Sequence, residues 1–355
     1  MHHLPLLLSL LLAIAAPLAW AAPASHQLGQ ISHIYDTTDK LPLPNEGNLQ
    51  VHDPNIILHD EHYYLFKGGI NIPIFKSANM SGPWEKIGTV LDGDSIIHKG
   101  NRSRPWAPTT IEHNGKFYCY YTLSSRGSRN SAIGIATTTT LDGSAWTDHG
   151  VLINTEKGPG SDVYPYTITN AIDASFIFDQ DSGQAYLNYG SFWHDIWQVP
   201  LSDDLLSVKD AGKPDAVQLT FIPREKRKPE EGSWMSYRDG WYYTWFSRGK
   251  CCNFDGVFPD RGEEYSIRVG RSKDVRGPFA DRDGKLLREG VARLFMGRIM
   301  GLFMLLDGEA RLGWNYLDYE DGWPVPVEGQ DPTATSAGSI HGVTNWDYLP
   351  VVLGE

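Results

Sequence analysis

Cysteine is scarce in this chain: Cys119, Cys251 and Cys252 are the only three in 355 residues. No metal-ligand spacing links them, which excludes a zinc site built on thiolates. Cys119 lies in an alternating strand pattern and is expected to be buried. Cys251-Cys252 leaves two choices open, a strained vicinal disulfide or a free thiol. Positive charge is also in short supply. Lys and Arg number 31 against 43 Asp and Glu, a formal net charge of −12, which excludes a nucleic-acid-binding protein with a basic face. After residue 22 there is no apolar run long enough to span a bilayer, so no membrane partner is expected. The one long run, Leu4 to Leu18, is broken by Ser9 and Pro17 and followed by Ala19-Trp20-Ala21. It reads as a cleaved secretory signal over residues 1–21, and implies an extracellular protein. Asn79-Met80-Ser81 and Asn101-Arg102-Ser103 are N-glycosylation acceptors if the host is a eukaryote. Helix signals are few throughout.

What the chain has instead is aromatic, strand-forming sequence. It is 41% hydrophobic and only 21% charged, with 12 Trp and 17 Tyr. A sizeable core is affordable, and wholesale disorder is excluded. Short runs of Tyr, Phe, Ile, Val and Thr alternate with Gly, Asp, Asn and Pro, a pattern of all-β structure. One unit repeats. Asp60-Glu61 leads into His62 to Phe66, Asn114-Gly115 into Lys116 to Tyr120, Ser182-Gly183 into Gln184 to Asn188, and Asp239-Gly240 into Trp241 to Trp245. A weaker fifth copy runs from Asp307 to Gly313. The period, roughly 55 to 70 residues, is that of a four-stranded propeller blade with long loops. A second element repeats in phase with it: Ser77 to Trp84 and Ser272 to Phe279 both read Ser-x-x-x-x-Gly-Pro-aromatic. Residues 22–355 are therefore expected to form a single five-bladed β-propeller domain, with its core at about 30–328. A β-sandwich would not repeat its hairpins at this period.

In a propeller the innermost strands line a central channel, so side chains from equivalent places in different blades converge. Three acids occupy such places. Asp53 lies in Val51-His52-Asp53-Pro54, Asp173 in Asn170-Ala171-Ile172-Asp173, and Glu231 in Pro229-Glu230-Glu231-Gly232. Each stands seven to nine residues ahead of its hairpin turn. Singly, Asp53 before Pro54 reads as a turn former and Glu231 as part of a solvated charge run. The shared position makes them a set. Cleavage of a glycosidic bond needs one acid to protonate the leaving oxygen and one carboxylate as base or nucleophile. A third carboxylate raises the pKa of the acid and orients it.

The sequence resembles glycoside hydrolase family 43, in particular its fungal endo-arabinanases. The landmarks are His52-Asp53-Pro54, Gly68-Gly69-Ile70-Asn71-Ile72-Pro73-Ile74, Trp106-Ala107-Pro108, Asn130-Ser131-Ala132-Ile133-Gly134 and Trp146-Thr147-Asp148-His149-Gly150. They continue with Asn170-Ala171-Ile172-Asp173, Gly190-Ser191-Phe192-Trp193, Glu231-Gly232, Lys250-Cys251-Cys252 and Gly322-Trp323-Pro324-Val325. The resemblance implies a secreted, inverting endo-hydrolase of α-1,5-L-arabinan in plant cell-wall pectin, acting as a monomer. Asp53 becomes the general base that activates water, Glu231 the general acid, and Asp173 the group that tunes and orients Glu231. An inverting pair stands about 6.5–9.5 Å apart to admit a water. Trp106, Phe192 and Trp193 are candidates to stack on arabinose rings, and Asn130, Ser131 and Ser191 to bind sugar hydroxyls. Glu230 rivals Glu231 as the acid.

One stretch departs from the family. Relatives carry a His near the channel axis that holds a water or metal ion, but no His lies between His194 and His341. The corresponding residues 291–306 are short, apolar and hold three of the six Met. A truncated or irregular fifth blade is expected, with no cofactor required. A structural ion in the channel lacks its expected ligand. Two other readings remain: an exo-acting α-L-arabinofuranosidase or β-xylosidase of the same family, and a non-catalytic carbohydrate-binding propeller.

Overall fold

Five four-stranded sheets make up the described structure, a computed structural model that describes residues 43–44, 46, 49–143, 146–223, 230–249, 265–290, 294–297, 312–327 and 348–350. All lie within one unit, Thr37–Glu355. The expected signal segment, Cys251-Cys252, and most of the Asp307 to Gly313 copy and of 291–306 lie outside these residues. Among the described residues no helix is long and apolar enough to cross a membrane.

After a short first strand, β1 (Leu43–Pro44), the chain lays down one antiparallel sheet after another. The first sheet comprises β2 (Asn55–His59), β3 (His62–Phe66), β4 (Pro73–Ser77) and β5 (Glu85–Thr89). The second comprises β6 (Trp106–His113), β7 (Lys116–Leu123), β8 (Ala132–Thr138) and β9 (Thr147–Asn154). The third comprises β10 (Ser175–Phe178), β11 (Ala185–Tyr189), β12 (Trp197–Pro200) and β13 (Val217–Gln218). The fourth comprises β14 (Glu230–Arg238), β15 (Trp241–Arg248), β16 (Ser266–Ser272) and β17 (Leu294–Gly297).

The hairpins form where the sequence punctuates them. Asp60 and Glu61 have φ of 46° and 59°, Asn114 and Gly115 52° and 70°, and Asp239 and Gly240 50° and 75°. Two consecutive positive φ values match the twist of the flanking strands, which is why Asn-Gly and Asp-Gly recur there. In the fifth sheet the hairpin falls at Asp321-Gly322, between β18 (Gly313–Glu320) and β19 (Trp323–Val327).

That fifth sheet is irregular, as expected, but not quite where expected. Both β1 and β20 (Tyr348–Pro350) pair with β18, so the sheet branches instead of running in simple order. Leu294–Gly297, the first strand in the anomalous stretch, pairs with β16 and completes the fourth sheet. The departure from the family pattern therefore begins in the outer edge of blade four.

The cores lie between sheets, and they go around in a ring. Phe66 and Ile74 of sheet one pack with Phe117 and Tyr121 of sheet two. Tyr120 and Ile133 meet Phe176 and Tyr189 of sheet three. Tyr186 and Ile196 meet Met235 and Phe246 of sheet four. Tyr243 and Trp245 meet Trp323 of sheet five, and Leu312, just before β18, packs on Val51, Ile56 and Leu65 of sheet one. Both faces of each sheet are thus used. On β7, Tyr118 and Tyr120 face one core while Cys119 and Tyr121 face the other, the period-2 alternation of a strand. Cys119 is fully buried and unbridged, and burial pushes its thiol up to about 12.

Candidate active site

The innermost strands β2, β6, β10 and β14 are laced together by side chains. Thr110 N–H donates to Asn55 Oδ1 (2.8 Å), Thr109 Oγ1 donates to Ala174 O (2.6 Å), and the Ser175 and Ser233 hydroxyls stand 3.5 Å apart. Close to these contacts, the chain kinks in the same way in blades one to four. Asp53, Ala107, Asp173 and Gly232 have φ of 49°, 40°, 57° and 59°. Non-glycine residues avoid this left-handed region, and a run of them at equivalent positions marks strain held for a purpose. The ladders slip at two of these kinks, between Trp106 and Thr109 and between Glu231 and Trp234.

The kinks also bond to one another. Ala107 N–H donates to Asp53 Oδ2 (3.3 Å), and Gly232 N–H donates to Asp173 Oδ2 (3.1 Å). In both cases the backbone of the next blade holds the aspartate of the one before. His52 Nδ1 lies 2.9 Å from Asp53 Oδ2, and Gly68, bonded to His52 O, backs the same carboxylate. Asp173 is anchored from its own backbone, whose N–H donates to Thr122 Oγ1 (3.2 Å).

Glu231 is held through both oxygens. Ser191 Oγ donates to Oε2 and Tyr265 Oη to Oε1, each at 2.8 Å. Ser191 sits in a loop with positive φ at Gly190, Phe192, Trp193 and Asp195. Gly190 is required there, because a Cβ would stand 2.2 Å from Asp195 O at a φ of 129°. Phe192 N–H donates to Glu230 O, and Asp195 Oδ2 accepts from Ile222 N, so the loop is pinned on both sides.

Asp173 senses the charges of the other two carboxylates. Asp173 has its carboxyl packed among protein atoms although the residue keeps some exposed surface, and its pKa is raised well above the ordinary value. Burial is the largest cause, followed by the negative charges of Glu231 and then Asp53; the Gly232 N–H opposes the shift. Like charges sharing a site favour retention of a proton among them.

The other sequence candidates divide. Trp106 is half-buried at the blade-two kink, and Trp193 is 37% exposed at the tip of the Ser191 loop. Phe192 and Asn130 are half-buried. Ser131 is fully buried with its hydroxyl between Ser124 Oγ (2.6 Å) and Asn170 Oδ1 (2.7 Å), so it braces the framework instead of facing a sugar. Ser191 is likewise buried, committed to Glu231. Glu230 is 1% exposed and lies opposite buried Arg248 in the β14–β15 ladder, while the Ser191 and Tyr265 hydroxyls go to Glu231. Three participants escaped the sequence reading: His52, Thr122 and Tyr265. His52 adjoins Asp53 and was legible by position. Tyr265 lies 34 residues beyond Glu231 and had no local signal. For the structural ion, no three His, Cys, Asp or Glu among the described residues are grouped to hold a metal.

Converging carboxylates on a propeller define a glycosidase-type site, and comparison with known proteins agrees. Residues 47–290 match the family "Glycosyl hydrolases family 43", and the chain belongs to that family. The match ends where the anomalous stretch begins. A probable arabinan endo-1,5-alpha-L-arabinosidase D of Emericella nidulans is 49% identical, covering 88% of each chain. The arabinan endo-1,5-alpha-L-arabinosidase B of the same organism is 39% identical over 81% of this chain and 85% of its own. Among solved structures, an exo-1,5-alpha-L-arabinanase from a bovine ruminal metagenomic library superposes with a TM-score of 0.63 at 26% identity, covering 80% of this chain and 99% of its own. The protein is a glycoside hydrolase with a family 43 propeller.

Proposed function

We propose that the protein is a secreted, inverting endo-hydrolase of α-1,5-L-arabinan, the side-chain polymer of pectin. The observation that carries this reading is the joint placement of Asp53, Asp173 and Glu231, with Asp173 close enough to feel both others and each fixed by its own hydrogen bonds. The names of the fungal relatives supply the substrate. In this reading Asp53, steadied by His52 and Ala107 N–H, takes a proton from the attacking water. Glu231, steered by Ser191 and Tyr265, delivers one to the leaving oxygen. Asp173, next to both charges, keeps a proton within the pair and sets Glu231's orientation. Trp106 and Trp193 offer ring faces to the sugar. The enzyme acts as a monomer and requires no cofactor.

The test is incubation with linear arabinan and, separately, with a nitrophenyl arabinofuranoside. Oligosaccharides from the polymer with little release from the small substrate are expected. Release mainly from the small substrate, or of short products from chain ends, makes it an exo enzyme, as the name of the metagenomic neighbour illustrates. Inactivity on both overturns the catalytic reading in favour of a carbohydrate-binding propeller.

A further inference from the structure

The connector between β5 and β6 contains no strand, yet it runs beside the Asp53 side of the site. Near its end, Ser103 O accepts from Asn71 N (2.8 Å) and Pro105 O from Gly69 N (3.2 Å), and two residues later Ala107 N–H reaches Asp53. In its middle stands Lys99. The Lys99 ammonium donates to three backbone carbonyls, Ser131 O (2.7 Å), Thr155 O (3.1 Å) and Lys157 O (2.7 Å). Few surface lysines spend all three donors on backbone. This one is partly enclosed, and burial lowers its pKa to about 8 against the opposing pull of Glu156. The next residue locks the stem in place. Gly100 has a φ of 50°, and a Cβ there would fall 2.1 Å from Ser124 O.

Two of the three carbonyls that Lys99 gathers belong to residues, Ser131 and Thr155, whose side chains hold the approach to Asp173. Ser131 Oγ donates to Asn170 Oδ1 (2.7 Å). Thr155 Oγ1 donates to Arg129 O (2.7 Å) and accepts from Ala171 N (3.1 Å). Asn170 and Ala171 lead directly into Ile172 and Asp173. Lys99, from the blade one to two connector, is thus joined through blade two to the acid-bearing segment of blade three.

We infer that Lys99 is a positioning residue for hydrolysis: its ammonium draws the Ser131 and Thr155 backbones together, and they in turn fix the Asn170–Asp173 segment against Glu231. The inference rests on the arabinan-hydrolase reading above. Without the cation, three carbonyl dipoles converge on one point with no positive charge between them; Ser131 O keeps the Thr155 N–H and Thr155 O the Lys157 N–H, but Lys157 O loses the ammonium and the 155–157 loop relaxes away. Thr155 then loosens its hold on Ala171, and Asp173 shifts relative to the acid it orients. Small misplacements of this kind reduce turnover while leaving sugar contacts elsewhere intact.

The experiment compares wild type, Lys99→Met, Thr155→Val and the double variant on linear arabinan, with thermal melts alongside. Lys99→Met keeps the stem and removes the charge. It is expected to melt cooperatively, lose kcat by about tenfold or more and keep KM within about threefold. Thr155→Val is expected to show the same split, and the double variant to be no worse than the poorer single, because both act along one path. Lys99→Ala is expected to recover rate in methylammonium chloride but not in choline chloride. A Lys99→Met enzyme with wild-type kcat, even one that melts lower, overturns the inference, as do fully additive losses in the double variant. If Lys99→Met does not fold, Thr155→Val decides, and unchanged kcat there overturns it. A wild type silent on arabinan instead overturns the functional reading itself.

Discussion

Gly232 donates its backbone N–H to Asp173 Oδ2 at 3.1 Å, one residue past Glu231. A single peptide unit therefore ties the position of one acid to the charge of another. The Ala107–Asp53 bond repeats the relationship one blade pair earlier. The site is a repeat of one device, a left-handed kink at the start of the innermost strand, used once in each of blades one to four and carrying a carboxylate in blades one and three.

Asp173 is where that device conflicts with stability. Its carboxyl is buried beside two negative groups, and its pKa is raised above the ordinary 3.8. For such a group the folded state binds the proton more tightly than the unfolded state. The stabilisation is complete below pH 3.8 and is lost as pH rises through the raised folded value. Asp173→Asn keeps the oxygen that accepts from Gly232 and removes the charge. It is expected to lower kcat by about a hundredfold. At pH 7 it should melt higher than wild type, by about 2 °C or more per kcal/mol relieved, and the difference should close toward pH 4. Melting curves across that range check this. A variant less stable than wild type at pH 7 contradicts it.

Neighbouring glutamates should respond in opposite ways. Glu231→Gln removes the acid and is expected to cost about 10²–10⁴ in kcat with an unchanged melting temperature. Glu230→Gln leaves the Ser191 and Tyr265 contacts in place but alters a buried charge opposite Arg248 in the ladder. It is expected to cost about 3 kcal/mol of stability and to retain turnover at low temperature. Kinetics and thermal melts on the two variants separate these effects. Loss of turnover with normal stability in Glu230→Gln would transfer the acid role to Glu230.

Tyr265→Phe and Ser191→Ala each remove one hydroxyl donor from Glu231. A hydrogen bond to a charged group contributes about 1.5–3 kcal/mol, so each variant is expected to lower kcat by about tenfold or more while KM on arabinan stays nearly constant. Because both donors act on one carboxylate, the double variant should fall short of the product of the two losses. Initial-rate kinetics on the three proteins measure this directly.

Much of this was legible in the sequence because the fold repeats. Asp-Gly and Asn-Gly turns followed by aromatic strands set the blade period, and the period marks Asp53, Asp173 and Glu231 as a set, although the kinks put Gly232, one residue past Glu231, at the place of Asp53 and Asp173. What stayed hidden was of two kinds. Ser131 and Ser191 are polar residues in promising motifs, but a motif does not say whether a hydroxyl faces the channel or another side chain; both turn inward. Tyr265 reaches Glu231 from across its own blade, and Lys99 bonds blade two from the connector ahead of it, both through contacts with no fixed sequence spacing. The role of Leu294–Gly297 was hidden for the same reason, since an apolar four-residue strand fits either of two neighbouring sheets until its register is seen.

The irregular fifth sheet still has to be held to the ring, and Arg271 of β16 is placed to do so. Its guanidinium lies 4.2 Å from the Trp241 ring centroid in sheet four and 4.3 Å from that of Trp323 in sheet five. It also donates to Asp321 O (3.1 Å) and to Gly322 O, the carbonyl that accepts from Tyr243 Oη (2.6 Å). Stacking and hydrogen bonds together bring the blade-five hairpin turn onto blade four. Lysine cannot reproduce this, because the planar fork both stacks and donates twice. Arg271→Lys is therefore expected to lose about 1–2 kcal/mol and Arg271→Ala about 2–3 kcal/mol. Both should hydrolyse substrate normally at 25 °C, since Arg271 touches none of the three carboxylates among its recorded contacts. Urea titration of the three proteins orders their stabilities. If Arg271→Ala unfolds at the wild-type midpoint, the hairpin is held to the ring by the Trp245–Trp323 core alone.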